Sequence, residues 1–178
     1  MPRLPLVVTV AALLGAGIAA GQGKKKEYDP KPYTSTEFKF KTFFPEKGPK
    51  ETTRKIKTDG GELEQGTASV ELRDGGVYSV TVTVLPEAAV QAGAKAVIDG
   101  VRDGIKGKDG KLESDKTHEQ GEAKTPGREM LFTFRNNQLK TRVFLVDDRL
   151  YQVTVTGSKS VVAGETAGRF LSAFEVTK

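Results

Sequence analysis

His118 is the only histidine in the 178-residue chain, and it stands in Lys116-Thr117-His118-Glu119 with Glu113, Asp115 and Glu122 close by. One imidazole among carboxylates is a donor set suited to a divalent cation. Glu113, Asp115, His118 and Glu119 are therefore the candidate metal ligands. The competing reading is an exposed histidine on a polar edge, because no metal-ligand spacing recurs elsewhere in the chain. A serine–histidine–acid triad would also have to use His118, and the Gly-x-Ser-x-Gly turn that presents such a serine is absent from the sequence.

Arg128, Arg135, Arg142 and Arg149 recur every seven residues. Brought to one sheet edge, four guanidinium groups would bind an anion through charge-assisted hydrogen bonds. Pairing with Glu129, Asp147 and Asp148 is the alternative role for the same groups. Asp147-Asp148, and Asp103 with Asp109, have the composition of acid–base partners. The first pair falls at a turn and the second flanks a helix end, so turn and solvation roles account for both. Gly60-Gly61, Gly75-Gly76 and the Gly107 to Gly110 run lack the lysine and hydroxyl of a phosphate loop and read as turns. The sequence thus predicts no catalytic residue and no cofactor.

Composition narrows the classes further. There is no cysteine, which removes disulfides, thiolate zinc sites and a thiol nucleophile, and also a lipoprotein anchor. The formal charge is +5, but beyond residue 36 the chain holds 23 basic against 21 acidic residues. A nucleic-acid binder concentrates its excess charge on the folded domain, so no nucleic-acid partner is expected.

The elements that must position these groups are legible from periodicity. Phe38, Phe40 and Phe44 alternate with Lys39, Lys41 and Phe43, and Pro45 ends the run. Thr52 to Thr58 reads as a polar edge strand and Gly66 to Leu72 as its neighbour. Asp74-Gly75-Gly76 gives a hairpin into Val77 to Leu85, where Tyr78, Val80, Val82 and Val84 share one side. From Ala88 to Lys106 the residues Val90, Ala94, Val97, Ile98, Val101 and Ile105 form one helical stripe. Lys111 to Glu122 is polar throughout and reads as an exposed edge strand or loop. Three strands then run through Phe132, Val143 to Val146, and Tyr151 to Val155, followed by a helix over Glu165 to Phe174. Val143 to Val146 is apolar at every position, which predicts burial on both faces and a place at the sheet centre.

These residues assemble into a prediction of an α+β domain: a largely antiparallel sheet of six or seven strands with helices on both faces. Residues 1–21 have a basic start, an apolar core and small residues at Ala19-Ala20-Gly21, the pattern of a secretory signal peptide. An uncleaved N-terminal anchor is the alternative, since Lys24, Lys25 and Lys26 oppose translocation of the C-terminal part of the chain. Residues 22–36 read as a flexible basic tether, with Pro30 and Pro32 discouraging helix. Residues 37–178 form one domain.

The blocks Phe40-Lys41-Thr42-Phe43-Phe44-Pro45, Pro126-Gly127-Arg128-Glu129, Arg142-Val143-Phe144-Leu145-Val146, Asp148-Arg149-Leu150-Tyr151-Gln152-Val153 and Arg169-Phe170-Leu171-Ser172-Ala173-Phe174 carry a resemblance. In content and order they resemble the PsbP, Mog and DcrB-like superfamily, and most of all uncharacterised exported bacterial proteins of that fold. The resemblance implies an α/β/α sandwich. It brings no catalytic residue to carry over, because its members differ in role and its motifs concern packing and turns.

The expectation is a non-catalytic binding or accessory module, exported to the periplasm or beyond, with another envelope protein or a small ligand as partner. Membrane attachment is expected only if the leader stays uncleaved. The alternatives are a metal-dependent or hydrolytic protein centred on His118, and a purely structural tethered domain.

Overall fold

The computed structural model describes residues 30–46, 48–58 and 61–177. The predicted leader, and the tether up to residue 29, lie outside them. In chain order the elements are β1 (Lys31–Ser35), β2 (Phe40–Phe44), β3 (Lys50–Thr58), β4 (Gly61–Glu71), β5 (Val77–Val84), α1 (Glu87–Gln91), α2 (Ala94–Lys106), β6 (Lys111–Gln120), β7 (Thr125–Phe134), β8 (Asn137–Val146), β9 (Arg149–Gly157), α3 (Lys159–Val162), α4 (Glu165–Ser172) and β10 (Glu175–Val176). Seven strands form one sheet in the order β3-β4-β5-β9-β8-β7-β6, and β1-β2-β10 form a second, small one. Every pairing is antiparallel.

Local chemistry sets the corners. Asp74 accepts a hydrogen bond from the Gly76 N–H at 2.9 Å, and Gly75 adopts φ 79°, so the β4–β5 turn closes as its residues predict. Ser158 caps α3 through its hydroxyl, which accepts from the Val161 N–H.

The main sheet has an apolar layer on each side. On one, Val97, Ile98, Val101 and Ile105 of α2 pack on Met130, Phe132, Val143 and Leu150. On the other, the small sheet and α3–α4 bring Phe40, Phe44, Phe170 and Phe174 onto Tyr78, Val80, Tyr151 and Val153. Phe174 lies between Phe144 and Phe40, with ring centroids 5.9 Å from each.

Three expectations are corrected. Lys31–Ser35, read as tether, is strand β1, registered on β2 from Lys31↔Phe44 to Ser35↔Phe40. Pro32 fits there because β1 is an edge strand. The helix expected to run unbroken from Ala88 is two helices, because Gly93 adopts φ 87° and ends the first; Ala94 is consequently exposed instead of lying on the buried stripe. The middle strand is β9, not the one holding Val143 to Val146. Those residues lie on β8, one strand away, where Val143 and Phe144 are fully buried on opposite faces.

Candidate functional site

The sequence-predicted groups gather around β6 and β7 but divide between the two faces of the sheet. Successive residues of a strand point to opposite sides. Asp115 lies opposite Met130, on the α2 side, whereas His118 lies opposite Gly127 and faces the small sheet. Asp115 is held by Arg128, whose Nε donates to Oδ1 at 2.7 Å and whose second amino group donates to Oδ2. Arg128 also reaches Asp99 of α2 at 3.4 Å, and Arg102 reaches the same Asp99 oxygen at 3.0 Å. The hydrogen bond from Lys95, opposed by burial and helped by the charges of Arg102 and Arg128, holds the Asp99 carboxyl below the ordinary aspartate range.

His118 packs 6.1 Å from the Phe144 ring and its Nε2 lies 2.9 Å from Oε1 of Gln120. Glu113, at the bulge between Leu112 and Ser114, pairs with Lys111 at 3.2 Å, and Glu119 is exposed. Among the described residues no group of three His, Cys, Asp or Glu side chains is arranged to hold a metal ion. The four candidate ligands are thus not brought together.

The arginines are separated likewise. Arg128 lies opposite Val143, and Arg142 lies opposite Glu129, one register position away and therefore on the other face. Arg142 donates from Nε to Glu129 at 2.7 Å and from Nη1 to the Leu171 carbonyl at 2.9 Å. Lys140 adds a second contact to Glu129 at 3.0 Å. Burial would raise the Glu129 carboxyl, but the hydrogen bonds and charges of Arg142 and Lys140 outweigh it and hold it below the ordinary glutamate range. Arg135 sits in the β7–β8 turn with φ 48°, and Arg149 donates to the Glu37 carbonyl at 3.3 Å.

Gln120, which no motif singles out, proves central. Buried at the end of β6, it donates from Nε2 to the carbonyls of Phe174 at 2.8 Å and Ser172 at 3.2 Å, and its Oε1 accepts from Arg142 at 3.1 Å. These are carbonyls at and just past the C-terminus of α4, which lack intrahelical partners. The only sequence signal is its place two residues after His118, on the same side of a strand. A depression of about 190 Å³ opens beside it, lined by Gln120, Glu122, Phe144, Phe174, Glu175 and Val176. Glu175, one of the lining residues, forms a 2.7 Å ion pair with Lys41 of β2.

No family model matches the chain, and no curated protein does. Among solved structures it is similar to cyanobacterial PsbP (CyanoP) from Synechocystis sp. PCC 6803, determined in solution. The two share 14% identity with a TM-score of 0.52, over 88% of this chain and 98% of that one. At that identity the likeness is one of fold, and the chain has a PsbP-like α+β fold.

Proposed function

We propose that the chain is a non-catalytic binding or accessory module that works in the cell envelope after export. One observation carries the reading: among the described residues, the charged groups of the Arg128 and Arg142 clusters are engaged in holding elements together. Arg128 joins β7 to β6 and α2 through Asp115 and Asp99. Arg142 and Gln120 join β8 and β6 to the end of α4. Catalytic groups need side chains free to meet a reacting atom, and in both clusters the charged groups are already paired with one another or with backbone carbonyls. The signal-like residues 1–21 support export. Among the described residues no helix is long and apolar enough to cross a membrane.

Affinity capture of the tagged chain from its own envelope fraction, with chemical crosslinking, tests the proposal. One protein recovered in stoichiometric amount is the expected result. Recovery of the chain alone, crosslinked or not, contradicts an accessory role.

A further inference from the structure

We propose that the free edge of β3 is a docking strand for an extended acidic segment of another protein, which joins the seven-stranded sheet as an added strand. This deepens the binding reading above and rests on it. Exposed sheet edges offer unpaired N–H and C=O groups, and folded proteins blunt them with bulges, prolines, short length or charge. The edges here differ in how they are blunted. β1 is five residues long and carries Pro32. β6 is interrupted by the bulge between Leu112 and Ser114.

β3 has neither device. It runs nine residues without proline or glycine, in unbroken register with β4 from Lys50↔Ser69 to Thr58↔Gly61. Among the described residues no strand lies on its other side. Its one protection is charge, and that charge has one sign: Lys50, Arg54, Lys55 and Lys57 against the single Glu51. Glu51 already accepts a hydrogen bond from the Tyr33 hydroxyl.

The alternation of the strand places Lys50 and Arg54 on one face and Lys55 and Lys57 on the other. Arg54 is fixed in place: Nε and Nη2 both donate to Oε1 of Gln65, at 3.0 and 2.6 Å, and buried Gln65 donates in turn to Thr83 at 3.0 Å. Lys55 keeps only an exposed pair with Glu62 at 3.2 Å, which a competing carboxylate displaces at little expense. A strand with carboxylates on both its faces meets cations on both faces of β3, and main-chain hydrogen bonds supply the rest of the affinity. A second copy of this chain brings the same positive strand and repels, so the occupant is a different, acidic protein.

The test uses the purified full chain at low salt and a synthetic nine-residue peptide of sequence Glu-Glu-Val-Val-Glu-Glu-Val-Val-Glu, which matches the length of β3 and carries carboxylates on both of its faces. Hydrogen exchange of the β3 amides is expected to slow by about tenfold in its presence, and binding to weaken by about tenfold in Lys55→Gln/Lys57→Gln. A peptide of equal charge with prolines at alternate positions is expected to give no protection, since it cannot form the ladder. Unchanged β3 exchange, equal protection by the proline peptide, or undiminished binding to the double variant would each overturn the proposal. If the envelope capture yields a partner that the double variant retains in full, the β3 assignment fails while the binding reading stands.

Discussion

Gln120 Nε2 lies 2.8 Å from the carbonyl oxygen of Phe174, so the last residue of an edge strand holds the chain where it leaves the final helix. Arg142 does the same for Leu171, adding a positive charge at the helix C-terminus, where the helix dipole favours one. Gln120→Ala is expected to destabilise the fold by about 2 kcal/mol, because the buried carbonyl of Phe174 loses its donor. Arg142→Met is expected to cost about 3 kcal/mol, since it also leaves Glu129 with Lys140 alone. Urea unfolding measures both, with midpoints that fall at an unchanged slope.

Thr42 sits in the middle of β2 with its hydroxyl buried and without a hydrogen-bond partner. Thr42→Val keeps the shape and removes the unsatisfied group. It is expected to stabilise by about 1 kcal/mol, read as a higher urea midpoint. A lower midpoint would show that the hydroxyl has a partner in solution.

Two glycines admit strands to close quarters in different ways. A Cβ at Gly66 would lie 2.1 Å from the Phe38 ring, a side chain that can be shortened. A Cβ at Gly127 would lie 2.4 Å from both the Val143 carbonyl oxygen and the Phe144 ring. Each alanine substitution is expected to cost about 2–3 kcal/mol. Phe38→Leu should recover part of the loss in Gly66→Ala, and Phe144→Leu should recover little in Gly127→Ala, where backbone obstructs. A double-mutant cycle by thermal or urea unfolding separates the two cases.

The Glu129 carboxyl is held below the ordinary glutamate range in the folded chain. A depressed carboxyl contributes stability that is fully present above its unfolded value, about 4.3, and is lost as pH falls through the folded value. Stability is therefore expected to drop as pH is lowered from about 4.3, and Glu129→Gln should flatten that part of the curve. Urea midpoints at pH 7 and at steps below about pH 4.3 check this. Equal slopes for wild type and variant would rule out Glu129 as the source of the loss.

Much of the fold was legible because period-two alternation survives into the structure. Tyr78, Val80 and Val82 face the small sheet, and Asp74-Gly75-Gly76 turns where it should. β1 was hidden because proline argues against strands, yet an edge position tolerates its missing donor. The site was less legible for a geometric reason. Arg128 and Arg142, fourteen residues apart, share one face only if the β7–β8 register pairs them, and the register pairs Arg142 with Glu129 instead. Asp115 and His118, three apart on one strand, must face opposite ways. Gln120 carried no signal because its role depends on where α4 ends, at Ser172, 52 residues beyond Gln120 in sequence.

We propose that the polar groups around β6, β7 and β8 hold the fold together and form no metal centre. Calorimetric titration of the purified full chain with Zn²⁺, Mn²⁺ and Ca²⁺ puts this to the test. No saturable binding in the micromolar range is expected, and identical traces for the native chain and His118→Ala. Micromolar binding that disappears in His118→Ala would contradict it, because the histidine and the carboxylates around it would then have to converge in solution.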